Sequence, residues 1–170
     1  MITAMTNTEF YLDQFQQSIA LLNKEQLDKK QMDTAAGIYV DSVFLKLYKR
    51  SWANAGEDPL TAESRIFFSV WVNHATSKEQ KIMYNIHAFK LRKLKGYTIE
   101  SRKFATVFRQ HFKKLMPQWP HVSVQFGPLT LMEGFVTINS TPLPQQVASL
   151  GNHFFSIAHL IDDTLLEFKK

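Results

Sequence analysis

The spacing of apolar residues changes period several times along the chain, and each change marks an element. Tyr11, Phe15, Ile19 and Leu22 recur three or four residues apart. That spacing puts them on one helical face and predicts an amphipathic helix over residues 8–23. Thr6 stands three residues before Glu9, the spacing of a capping box that would start this helix. Asn23 and Gln26 repeat the pattern. A second helical region is expected after them, through Leu27, Ala35, Tyr39, Val43 and Leu47 to about Trp52, with Gly37 as an interruption. The run Asn54-Ala55-Gly56-Glu57-Asp58-Pro59 ends it, because Gly and Pro continue a helix only at a cost.

Then the period falls to two. Ile66, Phe68, Val70 and Val72 alternate with Phe67, Ser69 and Trp71. Both sets are largely apolar, which predicts a central strand covered on both faces. After a polar turn over residues 76–80, Ile82, Tyr84, Ile86 and Ala88 alternate with Met83, Asn85, His87 and Phe89. This is a second strand, hairpin-paired with the first, and a slip in phase near Ala88 and Phe89 marks a bulge. Gly96-Tyr97 turns the chain. Thr98 can cap a helix over residues 99–115, whose apolar stripe is Phe104, Val107, Phe108, His111, Phe112 and Leu115. Pro117 and Pro120 end it. Val122, Val124 and Phe126 read as a strand, and residues 129–139 as one strand or two short ones. Pro144 opens a long C-terminal helix carrying Val147, Leu150, Phe154, Ile157, Ile161, Leu165 and Phe168.

The order α-α-β-β-α-β-β-α predicts an α+β fold: an antiparallel sheet of about four strands flanked by helices. At 170 residues the chain suits one such domain, over residues 1–170. Fourteen Phe, five Tyr and three Trp supply either an aromatic-rich core or a ligand cavity lined by rings. The absence of cysteine excludes disulfides, thiolate metal sites, iron–sulfur clusters and thiol catalysis. Residues 1–7 have no basic and apolar leader pattern, so no signal peptide is expected. No apolar run is long enough to span a membrane, and a cytoplasmic location is expected.

Charge sharpens this picture. Residues 65–121 hold 12 Lys/Arg against Glu79 and Glu100, whereas the rest of the chain is net acidic. Lys90, Arg92, Lys93 and Lys95 follow the second strand. Arg102, Thr106, Arg109 and Lys113 share one face of the next helix. Point charges spaced in this way suit the solvated outer face of an amphipathic helix, and they can also bind a polyanion, with a nucleic acid or an acidic protein as partner. Tyr97 and Trp119 flank the helix and could stack on bases. No nucleic-acid-binding motif accompanies the charge.

Candidate chemistry is sparse. Of the six histidines, His74 and His87 lie at or beside paired strands and are the general-base candidates. His111 reads as a core histidine. No histidine pair has helical metal-ligand spacing, and neither a metal nor a cofactor is expected. Glu133 reads as a turn residue before Gly134. The phosphate-loop, dinucleotide, nucleophile-elbow and zinc-protease motifs are all missing. Residues 35–41 resemble the helix motif of LAGLIDADG homing endonucleases over seven positions, but the acid, Asp41, falls one position late, so the metal chemistry of that family does not carry over.

The expected function is therefore non-enzymatic: a binding or interaction domain with a basic helix face. The alternative is a small-molecule-binding protein or enzyme with a non-standard site in an aromatic-lined cavity. Phe154, Phe155, Leu165, Leu166 and Phe168 cover more than one face of the last helix, which suits homo-oligomerisation through it.

Overall fold

Every strand pairs with the strand next to it in sequence. The computed structural model describes residues 4–170, and within it β1 (Met32–Tyr39), β2 (Ser42–Lys49), β3 (Arg65–Val72), β4 (Lys81–Phe89) and β5 (Thr130–Thr137) form one antiparallel sheet in that order. The fold is α+β, with five strands where about four were expected. Residues 1–3, on which part of the signal-peptide expectation rests, lie outside the described residues.

The helices are α1 (Ala4–Ile19), α2 (Lys24–Lys29), α3 (His74–Lys78), α4 (Ser101–Phe112), α5 (Leu143–Phe154) and α6 (Ala158–Leu166). Phe15 of α1, Phe108 of α4, Phe154 of α5 and Ile161 of α6 are fully buried in one core with Leu45, Phe68 and Ile86 of the sheet. Phe68 stacks on Phe154 with ring centroids 4.5 Å apart, and Trp52 meets Phe68 edge-on at 5.3 Å. No described helix is long and apolar enough to cross a membrane.

Side chains alternate across a strand, so the same β2–β4 residues that feed the core leave a second set on the opposite face. Phe44 and Lys46 of β2 stand there, with Arg65, Phe67, Ser69 and Trp71 of β3 and Asn85, His87 and Phe89 of β4. No helix residue lines the depression over these side chains. The expectation that β3 is covered on both faces is thus corrected: one face is core, and the other opens into a cleft.

Several boundaries also differ from expectation. Residues 32–49 form the β1–β2 hairpin instead of a helix, because a spacing of four fits a strand as well as a helix. The stretch resembling an endonuclease helix is therefore strand and turn. Helix α1 already runs at Ala4, so Thr6 lies inside the helix rather than at its start. Asn23 does cap α2, accepting from the Gln26 amide, but its own amide donates to Asn152 rather than to Gln26. The reciprocal capping box belongs to Asn73 and Thr76, which start α3 where only a turn was expected. The Val122–Phe126 segment makes a single bridge, Ser123 to Glu133. The C-terminal helix breaks between α5 and α6, where Ser156 turns its hydroxyl back to the His153 carbonyl.

Two glycines make room for aromatic rings. Gly37 faces Phe44 across the β1–β2 pair, and a Cβ on it would meet the Phe44 ring at 3.0 Å. The ring therefore lies over β1 and forms one end of the cleft. On the core face, a Cβ on Gly134 would stand 2.4 Å from the Tyr84 hydroxyl, which passes over β5 to donate to the Pro120 carbonyl at 2.6 Å.

Candidate functional site: a cationic aromatic cleft on the open sheet face

The cleft encloses about 370 Å³, within the usual range for small-molecule sites. Its floor is the middle of the sheet and its walls are rings. Lys46 projects its ammonium between Phe44, 4.4 Å from that ring centroid, and Phe67, 4.5 Å away. The Arg65 guanidinium lies 5.3 Å from Phe67 and 4.9 Å from Phe89. Between them the cations and neighbouring rings leave Phe67 only 4% exposed.

Neither cation meets a carboxylate. Arg65 donates once, from a terminal nitrogen to the Ala62 carbonyl, and Lys46 Nζ has no hydrogen-bond or ion-pair partner among the described residues. Burial, reinforced by the charge of Arg65, brings the Lys46 ammonium down to about 8. Burial disfavours the Arg65 charge in the same direction. Unpaired charge away from water is costly, so two such cations side by side mark a place where an anion is favoured.

Polar atoms without partners collect here too. Asn85 is 2% exposed. Its Nδ2 donates to Glu133 Oε2 at 3.1 Å, while Oδ1 has no partner among the described residues. Arg65 Nε and Trp71 Nε1 are buried and unpartnered in the same lining. Buried polar groups are normally satisfied, and an orphan needs a reason. Three such orphans belong to residues that line this one cleft. Glu133 is a mid-strand residue of β5, not the turn residue expected.

His87 lies in this cleft and His74 does not. Burial pushes the His87 imidazole below its usual range, although its hydrogen bond to the Leu129 carbonyl opposes the shift; Lys46 and Arg65 then lower it further. Its Nδ1 lies 3.3 Å from both the Leu129 carbonyl and Thr130 Oγ1, and its ring packs on Phe89. No carboxylate orients it. His74 opens α3 beside a separate, smaller cleft with Asn7, Tyr11 and Asp41. The two histidines therefore form no joint site. Among the described residues, no group of three or more His, Asp or Glu is arranged to hold a metal ion.

The basic residues divide. Lys90, Arg92, Lys93 and Arg102 line one groove of about 580 Å³ between the end of β4 and the start of α4. Within it Lys90 and Lys93 share Glu63, at 2.9 and 2.8 Å, and their hydrogen bonds hold that carboxyl down at about 2. Lys95, also exposed, follows the groove, and Lys113 stands at the far end of α4. Arg109 is occupied. It donates to the carbonyls of Phe126, Gly127, Thr130 and Leu131 at 3.0–3.1 Å. Leu131 is the extra residue of a bulge where His87 pairs with Thr130 and Ile86 with Met132. The bulge thus lies one residue pair before the expected slip, with its extra residue on β5.

Other expected surface groups are also committed. Trp119 is 3% exposed and stacks on His153 at 3.8 Å, so it cannot stack on a base. His111 is half-exposed and pairs with Glu167 at 2.8 Å rather than joining the core. Phe154, Phe155 and Leu165 are buried, and Phe168 packs on Phe104, which leaves Leu166 as the exposed apolar residue of that set.

The cleft was not foreseen as a unit. Its signal was the mixture of cations and rings at alternate positions, Phe44 with Lys46 and Arg65 with Phe67. Compared with known protein families, with curated proteins and with solved structures, the chain matches none.

Proposed function

We propose that this chain is a binding domain whose ligand is a small organic anion with a flat aromatic body, held on the open face of the sheet. The observation that carries this reading is the pair Lys46 and Arg65, set among rings and paired to no carboxylate among the described residues; Glu133 also lines the cleft, where its carboxylate accepts from Asn85. Phe44, Phe67, Phe89 and Trp71 supply flat apolar walls, and the two cations supply the charge that an anion would neutralise. Asn85 Oδ1 and Trp71 Nε1, buried beneath this lining, have no partner among the described residues. Amide NMR with anilinonaphthalene sulfonate as probe tests the location. Shifts confined to β2–β5 around Lys46, Arg65 and Asn85 are expected. Shifts centred on the helices would sink the reading.

A second reading concerns the groove of Lys90, Arg92, Lys93 and Arg102. Its favouring observation is that Arg92 and Arg102, from two different elements, line one groove without acidic partners. A polyanion such as single-stranded nucleic acid suits it, and affinity should then fall steeply with salt. The useful charge reversal is Arg92→Glu with Arg102→Glu. Arg109 is unsuited, since reversing it would strip four carbonyls of their donor. Oligonucleotide binding that survives the double reversal would exclude this groove.

A further inference from the structure

Lys46 differs in its surroundings from the other lysines. Lys49 is tied to Asp162, Lys90 and Lys93 to Glu63, and Lys103 to Glu100. Lysines such as Lys24, Lys95 and Lys113 stand exposed in water. Lys46 alone among the described lysines combines a cleft position, two flanking ring faces and no acceptor for its ammonium. An amine in such a place loses much of what normally holds its proton, namely water and a counter-charge.

We propose that Lys46 is a carbonyl-capturing amine, which takes an aromatic aldehyde bearing an anionic group as a reversible imine while Arg65 holds the anion. This deepens the ligand reading above and rests on it. In the step, the neutral amine nitrogen of Lys46 attacks the aldehyde carbon and a nitrogen–carbon bond forms. The carbonyl oxygen then leaves as water, carrying both hydrogens of the amine nitrogen. The product is an imine plus one water, with no oxidant or reductant required.

The cleft supplies what this capture needs. Phe44 and Phe67 flank the nitrogen, and the partly exposed rings of Phe44, Phe89 and Trp71 give an aromatic aldehyde a surface to lie on. Arg65 stays charged when Lys46 does not, because a guanidinium is far harder to deprotonate than an ammonium. It can therefore keep the anionic end bound while the nitrogen reacts. The electrostatic state of the pair agrees with this division: burial and Arg65 together leave Lys46 at about 8, so a useful fraction is neutral near neutral pH.

The test uses para-formylbenzoate, an aromatic aldehyde with a carboxylate, and its uncharged methyl ester, each with cyanoborohydride to reduce any imine to a stable amine. Peptide mass mapping reads the site of labelling. Labelling by the carboxylate should fall on Lys46 at about tenfold lower concentration than on exposed lysines such as Lys113, a difference of one decade in effective affinity. Arg65→Gln should reduce labelling by the carboxylate about tenfold more than labelling by the ester, which loses only what the absent Arg65 charge takes from Lys46 reactivity. Lys46→Arg should remove the selective adduct. Sulfonate binding at the cleft with no preferential Lys46 adduct would overturn the imine and leave the ligand reading standing. No binding of either anion at the cleft would overturn both.

Discussion

Lys46 roofs Phe67. Its ammonium lies 4.5 Å from a ring that is only 4% exposed, and it has no anion to balance it. Such a charge weakens the fold at neutral pH. The unfolded chain holds the Lys46 proton up to about 10.5, the folded chain only to about 8. Between those values the unfolded state binds more protons, so this group makes stability rise with pH across that window. Lys46→Met keeps contact with the rings through its thioether and removes the burden. At neutral pH it should stabilise by about 1 kcal/mol, less than the full shift implies because the ammonium remains partly in water. Chemical denaturation at pH 7 checks this. The gain should vanish above about pH 10.5, where the native lysine is neutral in both states.

Ligand affinity should show the opposite trend. An aromatic anion gains from the charged form of Lys46, so its affinity should fall as pH rises through about 8. Lys46→Arg stays charged throughout, and its affinity should be flat over the same range. Isothermal titration of anilinonaphthalene sulfonate across this range reads both profiles.

Arg109 should behave as a structural residue. Its four hydrogen bonds satisfy the carbonyls of the β5 bulge and the preceding loop. Arg109→Met should cost about 1–2 kcal/mol, since the part-buried carbonyls of Thr130 and Leu131 lose a charged donor. The bulge sets His87 against Thr130, so the amide signals of His87 and Thr130 should move in the variant.

Gly134→Ala should destabilise by about 2 kcal/mol or more, because the new Cβ would overlap Tyr84 and the backbone of Pro120. Combining it with Tyr84→Leu should be markedly less costly than the sum of the two changes, since the smaller side chain vacates that space. Thermal melts of the two single variants and the double variant measure the coupling.

Much of the fold could be read from periodicity, and the failures have particular causes. Residues 66–72 and 82–89 are rich in β-branched and aromatic residues at a period of two, and they pair as a hairpin as expected. The β1–β2 hairpin was hidden because residues 35, 39, 43 and 47 satisfy a helical spacing as well as an alternating one. Its turn gave no warning either. Val40 occupies a left-handed conformation at φ 57°, where glycine or asparagine is the usual marker. Once β2 was missed, Lys46 had no partner strand, and the cleft could not be assembled. Half of it was still visible: His87 was singled out by position, and an aromatic-lined cavity was weighed. The basic helix face separated only in three dimensions, where Arg109 found carbonyls and Lys90 and Lys93 found Glu63.

The most direct measurement of the central claim is a fluorescence titration comparing anilinonaphthalene sulfonate with the neutral phenylnaphthylamine. It is done on the native chain and on the double variant Lys46→Gln, Arg65→Gln. If the cleft recognises an aromatic anion through these two cations, the native chain binds the sulfonate more tightly. The double variant then loses about 100-fold for the sulfonate, roughly a decade for each charged contact, and less than about twofold for the neutral probe. Equal affinity for both probes, with no loss in the double variant, would contradict it.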